Sequence, residues 1–276
     1  MSNGGSGTLL AAAIQMTSRG DVSANLDRAE ALIARAAARG ALLAVLPENF
    51  ALLSSVEGAS LEHAESIHVG GPILTRMQET ARRHGLALVL GGMPEKSEQP
   101  GLVHNSCVYL DAGGEVRAVY RKIHLFDVNI PDGATYRESA KVAPGSEAVT
   151  VNTPWGVLGL SVCYDLRFPE LYRQLAAAGA TMLVVPAAFT LHTGRAHWHV
   201  LLRARAVENL CFVLAAAQYG RHDEKRVTYG HALVCDPWGQ VLAECGDDEG
   251  VAIAELDFNR QAALRRELPA LAHRRL

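Results

Sequence analysis

Apolar residues fall in short blocks along this chain, and their spacing changes from block to block. Residues 9–16 (LLAAAIQM) are nearly all apolar, which predicts a strand buried on both faces. Residues 24–38 (ANLDRAEALIARAAA) repeat apolar positions at helical spacing and stop before Gly40, which predicts an amphipathic helix. "ALLAVLPE" predicts a second buried strand, residues 72–84 a helix, and "LALVLGG" a third strand. The pattern then changes. "HNSCVYLDAGGEVRAVYRK" predicts two strands around a Gly-Gly turn, a hairpin. "AVTVNTPWGVLGLSVC" and "GHALVCDPWGQVLAEC" predict two more hairpins, each around Pro-Trp-Gly. Between them lie a helix closed by Gly179 (PELYRQLAAAGA), a strand (TMLVVPAAF), a helix (AHWHVLLRARAVEN) and a buried strand (CFVLAAAQ). "VAIAELD" and a basic helical tail complete the chain.

Helices that alternate with buried strands, with hairpins intruding, predict an α/β fold of mixed sheets with helices outside. The number of fully apolar strands predicts two sheets facing each other. No Pro/Ser-rich linker divides the sequence, so residues 9–276 read as one domain. Residues 1–8 read as a flexible Gly/Ser-rich leader. The two Pro-Trp-Gly turns read as hairpin turns rather than as an internal repeat.

Composition narrows the partners. A net charge of -3 over 276 residues gives no global basic field, which argues against nucleic acid. Charges or glycines interrupt every apolar run before it reaches the length of a membrane span, which argues against a membrane partner. The cysteine count is odd, at five, and no secretory leader precedes it. A reducing cytoplasm is the expected compartment.

Three apolar strands end in a reactive or polar residue: "LLAVLPE" at Glu48, "LGLSVC" at Cys163 and "MLVVPAAFT" at Thr190. Ligands of open α/β sheets gather beyond the carboxyl ends of strands. If these strands are parallel neighbours, Glu48 and Cys163 share one pocket. Cys163 also stands where a strand turns into a helix, where the helix dipole and free N–H groups favour thiolate and can hold an oxyanion. A buried inert thiol is the other reading. Cys107, Cys211, Cys235 and Cys245 sit in strand-like or short apolar runs and read as packing. A carboxylate at a buried strand end is desolvated, which would raise the Glu48 pKa toward the range useful for acid–base work; capping the next segment is the alternative. Lys122 follows a hairpin strand in "YRKIH" and would lower the pKa of a neighbouring thiol or hold an oxyanion.

Taken together, "LPENF", "YRKIHLFDVNIP" and "SVCYDLRFPELYR" resemble the motifs of the nitrilase superfamily of carbon–nitrogen hydrolases, in order, spacing and flanking residues. The resemblance runs from about Leu10 to the C-terminus. It implies a four-layer α-β-β-α sandwich, a homodimer, and no metal or organic cofactor. It implies Cys163 as nucleophile, Glu48 as general base and acid, and Lys122 as stabiliser of the tetrahedral intermediate. Glu138, in "TYRESAKVAPG", matches a second pocket glutamate that orients base or substrate, and the Tyr164 N–H would complete the oxyanion hole. The implied activity is hydrolysis of a linear amide through a thioester.

Arg167 and Thr190 are the substrate-binding candidates. An Arg fork suits a substrate carboxylate, so a small amide bearing a carboxylate is expected. Pairing of Arg167 with Asp165 or Glu170 is the alternative. The C-terminal third is similar to the Nit branch of the family, which splits deaminated glutathione into 2-oxoglutarate and cysteinylglycine. Near alternatives are 2-oxoglutaramate and N-carbamoyl amino acids as substrates. The loop "GRHDEKR" offers Arg221, Lys225 and Arg226 to a distal carboxylate, or is simply a solvated loop. His199 stands where many relatives carry an acid, and is expected to change local charge near the pocket. His192, His197 and His199 raise a metal site, which the helical divergence of His197 and His199 disfavours. A Cys-His hydrolase with His124 or His231 as base is a further rival.

Overall fold

The strand Thr8–Met16 feeds two separate cores. Leu9, Ala11 and Ala13 join one buried cluster, whereas Ala12, Ile14 and Met16 join another. A strand with period two that is apolar on both faces must be sandwiched, and this one is. The computed structural model describes residues 7–129 and 135–275. Most of the proposed leader, residues 1–6, lies outside them, and Thr8 already belongs to a strand.

The first half of the chain runs β1 (Thr8–Met16), α1 (Val22–Ala38), β2 (Leu43–Val45), α2 (Ala59–Glu62), α3 (Pro72–His84), β3 (Ala87–Lys96), β4 (Val103–Leu110), β5 (Val116–Arg121), β6 (Asp127–Asn129) and β7 (Thr135–Arg137). The second half runs β8 (Thr150–Thr153), β9 (Gly156–Gly159), α4 (Pro169–Ala177), β10 (Met182–Val184), α5 (Leu191–Asn209), β11 (Phe212–Ala215), β12 (Ala217–Arg221), β13 (Val227–Tyr229), β14 (Leu233–Cys235), β15 (Val241–Glu244), β16 (Gly250–Asp257) and α6 (Phe258–Glu267).

One sheet has the order β13-β12-β1-β2-β3-β4-β5, with β16 also paired to β1. The other has the order β15-β14-β11-β10-β9-β8. β1, β2 and β3 are parallel, as are β9, β10 and β11, and the hairpins together with the β1–β16 and β11–β14 pairs supply the antiparallel pairing. Leu26, Leu32 and Ile33 of α1 and Ile73, Leu74 and Met77 of α3 cover the outer face of the first sheet. Leu171 and Leu175 of α4 and Trp198 and Leu202 of α5 pack with the second sheet. The same cluster joins the second sheet to the odd-numbered side chains of β1, so the layers are α-β-β-α. Among the described residues no helix is long and apolar enough to cross a membrane.

Local chemistry places the helix ends. The Asp21 side chain caps α1 by accepting from the Ala24 N–H at 3.0 Å, which starts the helix two residues before the apolar periodicity does. Thr190 caps α5, which starts five residues earlier than the sequence reading placed it. Two strands depart from expectation. Pro47 has no N–H for a ladder, and β2 ends at Val45, so Glu48 sits on a connection rather than on a strand. "CFVLAAAQ" is two strands, not one. β11 pairs in the second sheet, and β12 crosses to pair with β1 in the first. An apolar run long enough for both sheets carries no mark of the change, because both environments are buried.

Candidate active site

The loops that follow β2, β9 and β10 meet between the two sheets. Glu48 and Cys163 therefore do not come from neighbouring strands of one sheet; they come from facing sheets. The approach depends on small residues. A Cβ on Gly91 would lie 2.1 Å from Pro186 Cβ and 2.2 Å from the Leu46 carbonyl oxygen. Pro186 in turn accepts the Cys163 N–H at 2.9 Å, which ties the thiol-bearing turn to the end of β10.

Cys163 has φ +51, in the left-handed region that non-glycine residues seldom enter. Such strain costs about 1–3 kcal/mol and persists only where the surroundings impose it. Here they do. Asp165 is fully buried and accepts from Val162 N–H at 2.8 Å and from Tyr120 OH at 2.6 Å on one oxygen. Its other oxygen meets the His124 N–H at 3.1 Å and His124 Nδ1 at 2.7 Å. One carboxylate thus clamps the turn of Cys163 to the strand end that carries Lys122. This residue was missed from sequence, where an acid beside an arginine reads as a surface pair.

Lys122 Nζ is fully buried and donates to Glu48 Oε1 at 2.9 Å and to both oxygens of Glu138 at 3.0 and 2.8 Å. Asn105 Nδ2 donates to the same two carboxylates at 3.0 and 3.3 Å. The second Glu48 oxygen accepts from the Ala188 N–H at 3.0 Å, and Cys163 lines the cleft beside the same carboxylate. Asn105 was also missed; its only sequence mark is an amide inside a buried strand. Glu138 is fixed by the Phe126 N–H at 2.7 Å.

The charges depart from both sequence expectations. Burial pushes the Glu48 carboxyl up, but the Lys122 charge and the hydrogen bonds from Cys163 and Lys122 outweigh it, so its pKa lies below the ordinary 4.5. Burial would lower Lys122, but the Glu138 and Glu48 carboxylates hold it well above the ordinary range. Cys163 is raised well above the ordinary 9.0, by burial first and then by the Glu48 charge, despite Lys122. The resting site is a neutral thiol beside an ionised carboxylate, not a thiolate at a helix end. A carboxylate beside a thiol can take its proton as the sulfur attacks, and a buried ammonium can hold the oxyanion that forms. The other four cysteines are also buried, with Cys211 and Cys245 pushed up to about 11 and Cys235 to about 12. What sets Cys163 apart is its carboxylate partner and its place on a cleft.

That cleft has a volume of about 1010 Å³ and is lined by Glu48, Lys122, Glu138 and Cys163. Tyr164, Arg167 and Thr190 line it as well. The Tyr164 N–H precedes the first donor of the 3₁₀ turn, the Asp165 N–H, so the turn itself gives it no acceptor. Arg167 takes neither Asp165 nor Glu170. Its Nη1 lies 3.2 Å from His197 Nδ1, and its guanidinium sits over the Phe189 and Tyr164 rings at 5.4 and 5.9 Å. Thr190 Oγ1 is used in capping, 2.9 Å from Thr193 Oγ1. Lys225 and Arg226 reach the cleft; Arg221 turns to the carbonyls of Asp223 and Glu224. His124 and His231 do not line the cleft, which removes the Cys-His reading. His199 is also outside it and meets Glu244 at 2.8 Å, so its charge does not face the pocket.

Two consequences can be measured. With Glu48 depressed, the acid limb of the kcat/KM profile falls below pH 4.5, and a limb near pH 6 would contradict the charge assignment. By linkage, Glu48 supports folding above that pH and loses its contribution as pH falls through its lowered pKa. Gly92 has φ +74, and a Cβ there would stand 2.6 Å from Asn105 Oδ1 and 3.0 Å from Glu48 Cγ. Gly92→Ala should cost about 1–3 kcal/mol in a urea melt and reduce kcat, because the added methyl displaces both side chains.

A buried cysteine, glutamate and lysine meet between two facing sheets of an α-β-β-α sandwich, and the chain belongs to the carbon–nitrogen hydrolase family, whose model matches residues 10–266. A protein of Synechocystis sp. named deaminated glutathione amidase is 48% identical over 268 residues, covering 96% of this chain and 97% of its own. The crystal structure of the C. elegans NitFhit protein superposes with TM-score 0.91 at 40% identity, covering 97% of this chain; this chain spans only 65% of that longer protein. The crystal structure of Saccharomyces cerevisiae Nit3, a member of branch 10 of the nitrilase superfamily, superposes with TM-score 0.87 at 32% identity over 98% of this chain and 97% of its own.

Proposed function

We propose that this enzyme is an amidase that hydrolyses deaminated glutathione to 2-oxoglutarate and cysteinylglycine, with Cys163, Glu48 and Lys122 as its catalytic residues. Glu48 takes the thiol proton as Cys163 attacks the amide carbon. Lys122 and the Tyr164 N–H hold the oxyanion. The tetrahedral intermediate collapses, Glu48 protonates the leaving amine, and a thioester remains. Glu48 then deprotonates a water, which attacks the thioester; the carboxylic acid leaves and the sulfur recovers its proton from Glu48. Glu138 and Asn105 act through Lys122 and Glu48 rather than on the substrate. Arg167 receives a substrate carboxylate, and Lys225 and Arg226 favour a second, distal one.

The observation that carries the substrate assignment is the near-full-length likeness to the Synechocystis relative of that name. The cleft supports it, being roomy for a tripeptide-sized amide and carrying the cations of Arg167 and Arg226. The nearest competing reading is an ω-amidase releasing ammonia from 2-oxoglutaramate, which lacks the distal carboxylate. The test compares kcat/KM for deaminated glutathione, 2-oxoglutaramate and an N-carbamoyl amino acid. Deaminated glutathione is expected to lead; a preference for the carbamoyl compound would overturn the assignment. The enzyme is placed in the cytoplasm, in keeping with five free cysteines. It is placed in a homodimer, in keeping with the exposed Val200 and Val207 of α5 and the exposed Trp238.

A further inference from the structure

Outside the cleft, three potential metal ligands from three elements converge. His199 projects from α5, His231 follows β13, and Glu244 closes β15. His199 Nε2 and His231 Nδ1 approach the same oxygen, Glu244 Oε1, at 2.8 and 2.7 Å. One ligand atom from each residue lies within 4.8 Å of the other two.

We propose that His199, His231 and Glu244 form a binding site for a borderline divalent transition ion of the zinc type. Two imidazoles and one carboxylate are donors that suit such an ion, at bond lengths of about 2.0–2.2 Å. In a tetrahedral shell of that size, ligand atoms stand about 3.4 Å apart. The contacts at Glu244 therefore need to open by well under an ångström, which small side-chain rotations supply. Three protein ligands leave the fourth position to water. The side chains are 23–35% exposed, so the ion has a route in.

The donors are held in place before any ion arrives. The Tyr229 ring stacks on His231 at 4.4 Å and meets His199 edge-on at 6.0 Å. Trp198 Nε1 donates to the His231 carbonyl at 2.8 Å, and His231 has φ +59, a left-handed conformation imposed by the turn after Gly230. A metal-bound imidazole keeps its proton on the far nitrogen and gives it to an acceptor. Asp247 Oδ1 stands 3.5 Å from His231 Nε2, on the side away from Glu244, as that arrangement requires. The histidines of the "LHTGRAHWH" segment do not bind the ion together. His197 is engaged by Arg167, and His199 finds its partners in a hairpin far along the chain.

The test titrates zinc chloride into the Cys163→Ala protein by calorimetry, so that the cleft thiol cannot contribute. Cobalt chloride is titrated in parallel and followed by visible absorption. One ion per chain is expected, with tetrahedral cobalt bands and no thiolate charge-transfer band. His199→Ala and Glu244→Gln should each weaken binding more than about a hundredfold, since even outer partners of a metal ligand are worth about 10–100-fold. Asp247→Asn should weaken it about tenfold. His231→Asn removes a ligand with a residue that tolerates the left-handed turn, and serves if His199→Ala fails to fold. Absence of binding, a thiolate band, or affinity unchanged in His199→Ala and His231→Asn would each overturn the site.

Discussion

Cys163→Ala is expected to lower kcat by at least about 10⁴-fold while leaving the fold intact, because the covalent route disappears and no other group on the cleft can replace it. The thiol is buried beside Glu48, and the remaining cysteines are each buried away from that carboxylate. Losing one sulfur from a strained turn changes little packing, so the melting temperature should stay close to that of the wild type. Two measurements separate chemistry from folding. Quenched wild-type enzyme should show an acyl adduct by mass spectrometry with slow substrates, and the variant should show none. Turnover retained in the alanine variant would end the thioester mechanism.

The second large effect is expected for Lys122→Met, and it reaches both activity and stability. In the proposed mechanism Lys122 holds the oxyanion, and losing such a group lowers kcat by about 10²–10³-fold. The structural cost is comparable. Nζ lies between two carboxylates, at 2.9 Å from Glu48 and 2.8 Å from Glu138. Without it, buried Glu48 and half-buried Glu138 share only Asn105. Breaking a buried pair by removing one partner costs about 3–5 kcal/mol. One acid then escapes repulsion by protonating, so its folded pKa rises. A raised pKa adds stability below the unfolded value and loses it as pH rises. The variant should therefore melt at a higher temperature at pH 5 than at pH 8, relative to wild type. A melting temperature equal to wild type across that range would refute the charge network.

Much of the fold was legible along the chain. Helix α3 fills residues 72–84 as read, because Pro72 and Gly85 punctuate it at either end. The three hairpins form where their turn residues stand. Buried runs were legible as strands but not as members of a sheet. Nothing in "CFVLAAAQ" separates Val213, which pairs in one sheet, from Ala217, which pairs in the other. The site divides in the same way. Glu48, Lys122, Cys163 and Glu138 were nameable from their motifs, and the structure places all four on one cleft. Asp165 and Asn105 were not, because a clamp is visible only when its partners are close in space.

The sequence by itself determined most of the helices and strands, their buried faces and the candidate residues of the cleft. These follow from periodicity and side-chain chemistry, which are local. Only the tertiary structure decided the protonation states. A glutamate at an apolar strand end suggests a raised pKa, and a cysteine at a helix start suggests a lowered one; both shifts run the other way. For Glu48 the charge and hydrogen bond of Lys122, just past β5 and far along the chain, outweigh desolvation, whereas for Cys163 desolvation and the Glu48 charge outweigh Lys122. The sign of each shift depends on distances that the facing of two sheets creates, and a one-dimensional reading holds no such distances.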